Sequence, residues 1–399
     1  MKGMIIIGNV TKKNIETKVV HGDKGYDPHT GAISFPIYQS ATFRHPGLNQ
    51  STGYDYSRLQ NPTREELENT IASLENGKRG FAFSSGMAAI STVLKLFSPG
   101  NHVIVSDDMY GGTYRLFEEI YKGYGLNFSY VDTSVVEDVQ GAIKENTVAL
   151  FIESPTNPLM KVSDIKALSS LSKDRGLLTI VDNTFLTPYY LRPLELGADI
   201  VVHSGTKYLG GHNDTLAGLV ITSEEGLIDQ IQLIQKSEGA VLAPFDCWLI
   251  LRGIKTLSVR LNKQQENAII IANWLRKHEA VETVYYAGLP DHAGYEISKK
   301  QASGFGAMIS FTVRDVKLVA QVLEKVKIIL FAESLGGVES LITYPIIQTH
   351  SAIPEEMRRK IGVTDKLLRL SVGIESVDDL IMDLDQALKN ESDYKEVNE

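Results

Sequence analysis

The 399-residue sequence contains one cysteine, Cys247, and no long hydrophobic run. A single cysteine excludes a framework of intrachain disulfides and is typical of a reducing compartment. No apolar stretch approaches the roughly 20 residues that cross a bilayer. The stretch Met4–Ile7 is too short for the apolar core of a signal peptide. We therefore expect a cytoplasmic protein with no membrane partner.

The sequence also lacks an excess of positive charge. Its 40 basic and 49 acidic residues give a formal net charge of −9. Nucleic acids and anionic membrane surfaces are bound by basic patches, so this charge argues against both kinds of partner. The composition, with 43% hydrophobic and 22% charged residues, is ordinary for a globular enzyme. The length predicts two domains, or one large α/β body with an appendage.

The first 60 residues contain no long periodic segment and are rich in Gly, Pro, Thr and Tyr. We expect residues 1–60 to form an arm that reaches a neighbouring subunit or wraps over the body of the chain. Next to Pro62, Thr63 and Glu66 form a Thr-x-x-Glu capping box, which predicts the start of a helix.

Short apolar runs then alternate with helical patterns up to about residue 225. The runs are aliphatic and β-branched, as in strands that are buried on both faces. The predicted strands are Gly80–Phe83, His102–Val105, Val148–Ile152, Leu177–Val181, Asp199–Val202 and Leu219–Thr222. The predicted helices between them are Met87–Leu96, Thr113–Tyr121 and Ile165–Asp174. This alternation predicts an α/β fold with a mainly parallel sheet covered by helices.

The last third of the chain has a different pattern. One long helical pattern runs from about Asp246 to His278, and a mixture of strands and helices follows. The predicted strands there are Ala307–Phe311 and Leu368–Ser371, and the predicted helices are Lys317–Val326 and Val377–Ala387. We therefore predict a large α/β domain over residues 61–250 and a smaller α+β domain over residues 251–399. The polar end, Asn390–Glu399, is expected to fray.

A Ser/Gly turn, Ser84-Ser85-Gly86-Met87-Ala88, joins a predicted strand to a predicted helix. The free N–H groups and the positive dipole end of a helix N-terminus suit a phosphate. A Ser-Gly pair before a helix is also a plain cap, so the turn alone leaves both interpretations open.

Asp182 follows a predicted buried strand, and Lys207 follows the next one. A carboxylate at the carboxyl end of a parallel strand faces the crevice where α/β proteins bind ligands, and there it can pair with a pyridinium nitrogen. A turn cap is the alternative for Asp182.

Most lysines are surface charges, but Lys207 lies between Ser204, Thr206 and several glycines. Such an amine, close to a phosphate ligand, can form an imine with an aldehyde.

Arg369 lies within an apolar predicted strand, Leu368-Arg369-Leu370. A guanidinium among aliphatic neighbours is costly unless it is paired. A substrate carboxylate is a natural bidentate partner for it. A structural Arg–Glu pair is the alternative.

Several separated segments together resemble the Cys/Met-metabolism family of enzymes that depend on pyridoxal phosphate (PLP). The segments, in chain order and without large insertions, are Tyr56-Ser57-Arg58, Asn61-Pro62-Thr63-Arg64, Ser84–Ala88, Tyr110-Gly111-Gly112-Thr113, Glu153-Ser154-Pro155-Thr156-Asn157-Pro158, Val181–Thr184 and Ser204–His212. The resemblance runs from about residue 15 to 390. It implies the aspartate-aminotransferase type of fold, known as PLP fold type I, and PLP as the cofactor.

The resemblance also implies roles for individual residues. Lys207 would bond covalently to the cofactor, Asp182 would pair with its ring nitrogen, Tyr110 would stack on the ring and Asn157 would contact its phenolic oxygen. The residues implied for the phosphate within the subunit are Ser85, Gly86, Met87, Ser204 and Thr206. Tyr56 and Arg58 would reach the phosphate of a neighbouring subunit, which requires at least a dimer, and the habit of the family suggests tetramers. Arg369 and Ser334 would hold the substrate carboxylate.

The implied reaction is cleavage of a carbon–sulfur bond in a sulfur amino acid such as cystathionine, in which the freed Lys207 acts as the base at Cα. Lys207 or Tyr110 would donate a proton to the leaving thiolate. The segment Phe331–Ser340 contains Glu333, which could draw the distal amine of the substrate. In this family an acidic residue here often accompanies γ-elimination, but bacterial cystathionine β-lyases carry it too. The segments Gly211–Asp214 and Ile342–Glu356 resemble those β-lyases. We therefore predict β-elimination, with γ-elimination as the alternative.

Other functions fit the sequence less well. The family's methionine γ-lyases carry a cysteine where this chain has Gly112. A nicotinamide dehydrogenase would need a G-x-G-x-x-G turn after an early strand, and none is present. A non-catalytic PLP-binding regulator would give Arg369 and Tyr110 little purpose. His203 and His212 have no closing ligand set, so no metal site is predicted.

Overall fold

Residues 13–389 are described by a computed structural model. The sequence predictions for Met4–Ile7 and for Asn390–Glu399 lie outside the described residues, as does the beginning of the predicted arm. Between residues 13 and 389, no helix is both long and apolar enough to cross a membrane.

The described residues contain twelve strands in two sheets. The large sheet consists of β1 (Arg79–Phe83), β2 (His102–Ser106), β3 (Asn127–Val131), β4 (Thr147–Glu153), β5 (Leu178–Asp182), β6 (Ile200–Ser204) and β7 (Gly218–Thr222). The small sheet consists of β8 (Val281–Tyr285), β9 (Met308–Val313), β10 (Leu330–Phe331), β11 (Leu341–Thr343) and β12 (Leu367–Ser371).

Fourteen α-helices connect and cover these strands in the described residues. The first seven are α1 (Ile15–His21), α2 (Pro62–Glu75), α3 (Gly86–Leu94), α4 (Gly111–Arg115), α5 (Val136–Ala142), α6 (Ile165–Asp174) and α7 (Thr187–Tyr190). The others are α8 (Glu225–Glu238), α9 (Pro244–Ile254), α10 (Leu257–Leu275), α11 (Tyr295–Gln301), α12 (Lys317–Lys325), α13 (Glu355–Ile361) and α14 (Val377–Leu388). A π-helical turn, Leu116–Tyr121, continues α4, and Pro193–Leu196 forms a 3₁₀ turn.

The large sheet has the strand order β1-β7-β6-β5-β4-β2-β3. The strands from β6 to β3 are mutually parallel, and β7 runs antiparallel to both of its neighbours. The sheet is buried on both faces, as its apolar runs predict. In β4, Leu150 and Ile152 join one hydrophobic cluster, whereas Ala149 and Phe151 join the cluster on the opposite face. The mainly parallel α/β fold expected from the sequence is confirmed.

The small sheet, in the order β10-β11-β12-β9-β8, follows the large one in the chain. Its strands are antiparallel, except that β10 pairs parallel with β11. Helix α9 packs on α2, which contacts β1 and β7 of the large sheet, whereas α10 packs against β8, β9 and α14. A domain boundary near residue 250 stays a prediction. The described part of the arm contains α1, which packs on α2 and α10.

The long helical pattern predicted from about Asp246 to His278 corresponds to two helices, α9 and α10, which are separated at Lys255 and Thr256. The carbonyl of Gly253, in the last turn of α9, accepts hydrogen bonds from the guanidinium of Arg260 (2.8 Å) and the hydroxyl of Thr256 (3.1 Å). The backbone N–H of Thr256 also donates to this carbonyl (3.2 Å), so the carbonyl is paired although the helix does not continue. Apolar periodicity cannot detect such a break.

The capping box predicted at Thr63 is also wrong. The N-cap of α2 is Asn61, whose Oδ1 accepts hydrogen bonds from the backbone N–H groups of Thr63 (3.0 Å) and Arg64 (3.3 Å). The hydroxyl of Thr63 instead accepts from the N–H of Tyr38 (2.9 Å) in the arm. The sequence analysis also missed β3, which lies at an edge of the large sheet. None of its residues is buried, whereas each of the other six strands contains buried residues.

Candidate active site

A pocket of about 210 Å³ opens at the carboxyl ends of the parallel strands. Twelve of the fourteen residues predicted from the sequence line it. They are Ser85, Gly86, Met87, Tyr110, Asn157, Asp182, Ser204, Thr206, Lys207, Glu333, Ser334 and Arg369. Residues that are far apart in the chain therefore form one site.

One end of the pocket is formed by the N-terminus of α3 and the end of β6. Ser85 caps α3 by accepting a hydrogen bond from the N–H of Ala88 (3.1 Å). The first-turn N–H groups that follow have no acceptor within the helix. A Cβ atom added to Gly86 would lie 3.1 Å from Cβ of Ser204, so glycine leaves room between the two elements. The turn therefore caps a helix, and its remaining N–H groups are suited to an anion, so the phosphate interpretation stays a prediction.

Asp182, the last residue of β5, is partly exposed and lines the pocket. Its Oδ1 accepts two hydrogen bonds from Thr184, one from the backbone N–H (3.0 Å) and one from the hydroxyl (2.6 Å). Burial raises the pKa of Asp182, whereas the bonds from Thr184 oppose that rise by stabilising the carboxylate. Asp182 thus makes the turn contact that was its alternative interpretation, and it also faces the pocket.

The amine of Lys207 lies inside the pocket and donates a hydrogen bond to the hydroxyl of Ser334 (2.9 Å). Burial lowers the pKa of Lys207 to about 8, and the positive charge of Arg369 acts in the same direction. Glu333 opposes this shift. A lysine with a lowered pKa is neutral more often at physiological pH and is therefore a better nucleophile.

Arg369, in the middle of β12, is 1% exposed and is the largest fully buried side chain in the described residues. Its guanidinium donates to Oδ1 of Asn157 (2.8 Å), to the carbonyl of Ser334 (3.0 Å) and to the hydroxyl of Thr343 (3.2 Å). Burial lowers its pKa to about 10. No carboxylate between residues 13 and 389 forms an ion pair with it, so the structural Arg–Glu pair considered as the alternative is wrong.

Ser334 connects these two cations, since its hydroxyl accepts from Lys207 and its carbonyl from Arg369. Its backbone φ of 146° lies in a region that is normally occupied by glycine. Glu333, the preceding residue, also lines the pocket. The loop after β10 therefore contributes polar groups from the small sheet to a pocket that is built mainly on the large one.

Tyr110 precedes α4 and lines the pocket with its side chain. Burial raises the pKa of its phenol, and the nearby charge of Glu333 adds to the effect. A Cβ atom at Gly112 would lie 2.4 Å from a carbon of the Tyr110 ring. The position of the aromatic ring thus requires glycine at residue 112.

Tyr56 and Arg58 do not line the pocket. The guanidinium of Arg58 lies 5.7 Å from the centre of the Tyr56 ring and donates a hydrogen bond to the carbonyl of Lys236. Tyr56 is 45% exposed. The structure therefore does not bring these two residues together with the other twelve within one chain.

Comparison with known proteins identifies this arrangement. The model of the Cys/Met metabolism PLP-dependent enzyme family matches residues 16–389. The chain belongs to this family. It is 52% identical over 376 residues to a cystathionine beta-lyase of Lactococcus lactis subsp. cremoris, covering 94% of this chain and 99% of that protein. It is also 50% identical over 375 residues to a cystathionine gamma-lyase of Bacillus subtilis, covering 94% and 99%.

The solved structures agree with this assignment. The crystal structure of cystathionine gamma-lyase from Lactobacillus plantarum complexed with L-serine has a TM-score of 0.91 and 46% sequence identity, covering 94% of this chain and 98% of that chain. The fold is therefore PLP fold type I, as the resemblance implied, and the protein is a PLP-dependent enzyme.

The pocket of this PLP-dependent enzyme fits its cofactor. PLP requires an amine for its aldehyde, donors for its phosphate and a carboxylate for its ring nitrogen. Lys207 is an amine with a lowered pKa, the N-terminus of α3 with Gly86 and Ser204 forms a cradle for an anion, and Asp182 is a carboxylate on the same side of the sheet.

The pocket is lined by ten residues that the sequence analysis did not assign, among them Glu153 and Thr184. Both line it, and both contact residues that had been assigned, since Glu153 accepts from the N–H of Tyr110 (3.1 Å) and Thr184 bonds to Asp182. Glu153 ends β4 just as Asp182 ends β5, so its place at a strand end was the signal that could have found it.

No group of three or more potential metal ligands is present in residues 13–389.

Proposed function

We propose that the enzyme is a carbon–sulfur lyase that cleaves cystathionine by β-elimination, giving homocysteine, pyruvate and ammonia. The observation that carries this proposal is the pairing of two different cations around Ser334. Lys207 offers an amine with a lowered pKa, and Arg369 offers a buried guanidinium without a carboxylate partner. Such a pair suits an α-amino acid, because its amine can replace that of Lys207 on the cofactor while the guanidinium holds its carboxylate.

The roles of the cofactor-binding residues are part of the proposal. Lys207 bonds covalently to the cofactor, Asp182 pairs with the ring nitrogen, Tyr110 stacks on the ring and Asn157 contacts the phenolic oxygen. The phosphate is held by Ser85, Gly86, Met87, Ser204 and Thr206. When bound, the cofactor supplies a ring that withdraws electrons from the substrate Cα.

The residues of the chain then move the protons. Lys207, once the substrate amine has replaced it, removes the proton from Cα. The bond between Cβ and sulfur breaks, and Lys207 or Tyr110 gives a proton to the departing thiolate. Addition of one water molecule to the remaining three-carbon fragment gives pyruvate and ammonia. Arg369 and Ser334 hold the substrate carboxylate throughout, which fixes Cα within reach of Lys207.

Elimination at Cγ is the second candidate, because the chain is almost as similar to a cystathionine gamma-lyase as to a beta-lyase. The carboxyl of Glu333 lines the same pocket and can attract the distal amine of cystathionine in either reaction. The similar protein of Bacillus subtilis is named a cystathionine gamma-lyase. In this case the products would be cysteine, 2-oxobutanoate and ammonia.

Tyr56 and Arg58, which lie outside the pocket, are proposed to hold the cofactor phosphate of a neighbouring subunit. A dimer is then the smallest active form, and two dimers are proposed to form a tetramer. The arm over residues 1–60 would carry this contact. The cytoplasmic location and the boundaries of the two larger domains stay predictions.

The proposal is tested by adding cystathionine to the PLP-loaded enzyme and identifying the keto acid and the thiol by mass spectrometry. Pyruvate with homocysteine supports β-elimination, and 2-oxobutanoate with cysteine supports γ-elimination. Lys207→Ala should abolish both the absorption band of the lysine-bound cofactor and the products. If the cofactor binds but neither pair of products forms, the proposed substrate is wrong.

A further inference from the structure

Glu153 is a second carboxyl at the floor of the pocket, directly beside Asp182. It is the last residue of β4, and it is paired in register with Asp182 of the parallel strand β5. Register neighbours in a parallel pair direct their side chains to the same face of the sheet. Both residues line the pocket, and Glu153 is only 6% exposed. Two acidic groups are thus adjacent in a site with little water.

The two carboxyls have different partners. Asp182 accepts two hydrogen bonds from Thr184, including one from its hydroxyl at 2.6 Å. Glu153 accepts a hydrogen bond from the backbone N–H of Tyr110 through Oε2 at 3.1 Å, and the backbone N–H of Asn157 also favours its charged form. The donors of Thr184 stabilise the negative charge on Asp182. Two adjacent carboxyls in a buried site do not both ionise readily, because a negative charge on one raises the free energy of ionising the other.

Other charged groups face this pair. Asp108, after β2, adds negative potential at Glu153, and Arg369 on β12 adds positive potential. His203, on β6, favours the charged form of Asp182. Burial and the neighbouring Asp182 together raise the pKa of Glu153 well above its ordinary value. Burial raises the pKa of both carboxyls, but Thr184 and the charge of His203 favour the ionised form of Asp182, so Glu153 is the better site for a proton.

We propose that Glu153 is a positioning residue that stays protonated, so that Asp182 alone presents a negative charge to the cofactor ring, and that it fixes Tyr110 through the backbone N–H. This inference rests on the proposed roles of Asp182 and Tyr110. If Glu153 is neutral, Asp182 carries the one negative charge of this pair, and that charge would pair with the ring nitrogen. It also ties the loop that carries Tyr110 to the strand next to Asp182.

The first test compares Glu153→Gln, which keeps the shape and the acceptor oxygen, with Glu153→Ala, which removes both. The apoprotein is titrated with PLP, and the dissociation constant is measured at neutral pH. A neutral glutamic acid is well imitated by glutamine, so Glu153→Gln should stay within about threefold of the wild type. Glu153→Ala should bind PLP roughly tenfold or more weakly, because the N–H of Tyr110 loses its acceptor. Equal weakening in both variants would show that the charge of Glu153 is required and would overturn the inference.

The second test measures the proton itself, by infrared spectroscopy of PLP-loaded protein with ¹³C-labelled glutamate side chains. The band of a protonated carboxylic acid should be present at neutral pH and should lose intensity in Glu153→Gln. Unchanged intensity would mean that Glu153 is ionised, which contradicts the proposal. Glu66 is the matched control, because burial also raises its pKa, to about 7, but it lies outside the pocket. Glu66→Gln should change the band without changing the PLP dissociation constant.

These outcomes are distinct from a failure of the proposed function. If the wild-type protein shows no lysine-bound cofactor, or if Lys207→Ala leaves the spectrum unchanged, the assigned site is wrong. If the wild type binds PLP through Lys207 but Glu153→Gln behaves like Glu153→Ala, only the role of Glu153 is wrong.

Discussion

The amine of Lys207 and the hydroxyl of Ser334 are 2.9 Å apart, although the two residues are 127 positions apart in the chain. This hydrogen bond orients the amine within the pocket, and it links the end of β6 to the loop after β10. Ser334 adopts a backbone φ of 146°, which an L side chain rarely occupies. The serine therefore stores local strain at the point where it contacts the lysine.

Two substitutions at this position separate the contact from the strain. Ser334→Ala removes the hydrogen bond, and we expect kcat to fall about threefold to tenfold, as for the loss of about 0.5–1.5 kcal/mol. Ser334→Gly removes the same bond but relieves the backbone, so it should unfold at a higher temperature than Ser334→Ala. Steady-state kinetics and thermal unfolding measure the two effects. If Ser334→Ala unfolds at the same temperature as Ser334→Gly or at a higher one, the backbone at residue 334 is not strained.

The lowered pKa of Lys207 gives a pH dependence to cofactor uptake by the apoprotein. Only the neutral amine attacks an aldehyde, so the rate should rise with pH around a midpoint of about 8. Glu333 favours the charged amine, and Glu333→Gln should therefore move this midpoint to lower pH. Stopped-flow absorbance measures the rate. A midpoint near the ordinary lysine value, or a shift to higher pH in Glu333→Gln, would contradict the environment described for Lys207.

Arg369→Lys should weaken the binding of amino-acid substrates. A lysine keeps the charge but cannot contact Asn157, Ser334 and Thr343 while also holding a carboxylate through two parallel bonds. We expect KM to rise about tenfold or more, as for the loss of a charged hydrogen bond of about 1.5–3 kcal/mol. Arg314→Lys is the control, since Arg314 is exposed and its Nε donates to the carbonyl of Glu279. An equal rise in KM for both variants would argue against a carboxylate site at Arg369.

Gly112→Ala should displace the ring of Tyr110. The new methyl carbon would lie 2.4 Å from a ring carbon, which is closer than real contacts allow. We expect weaker PLP binding and lower activity. Gly141→Ala is the control, because a Cβ atom there has no neighbour within 4 Å and the residue lies in helix α5. If both variants bind PLP equally well, Tyr110 has room to move and its position does not depend on Gly112.

Much of the site could be predicted because its residues stand at strand ends. In a parallel sheet these ends share one edge, so Asp182 after β5 and Lys207 after β6 were expected to lie together. Arg369 was found by a different signal, since a charge within an apolar strand needs a partner. The family motifs then supplied Asn157, and they also supplied Ser334, whose strained backbone no sequence pattern indicated.

Other features depend on contacts between distant segments, which a pattern along the chain does not contain. The break between α9 and α10 requires Arg260 to reach the carbonyl of Gly253, and periodicity continues across it. The true cap of α2 is Asn61, because the hydroxyl of Thr63 is occupied by the arm. The pairing of Glu153 with Asp182 follows from strand register, which the sequence leaves undetermined.

The guanidinium of Arg369 is held by three protein oxygens and has one unpaired buried nitrogen, Nε. A ligand carboxylate therefore meets a group whose conformation is already set, and little entropy is lost in ordering it. An amine of the same size without a carboxylate would fill the space but leave the buried cation without a counter-ion. The enzyme therefore rejects decarboxylated amines because they leave the Arg369 charge unpaired, not because they do not fit. Enlarging the pocket would not remove this preference.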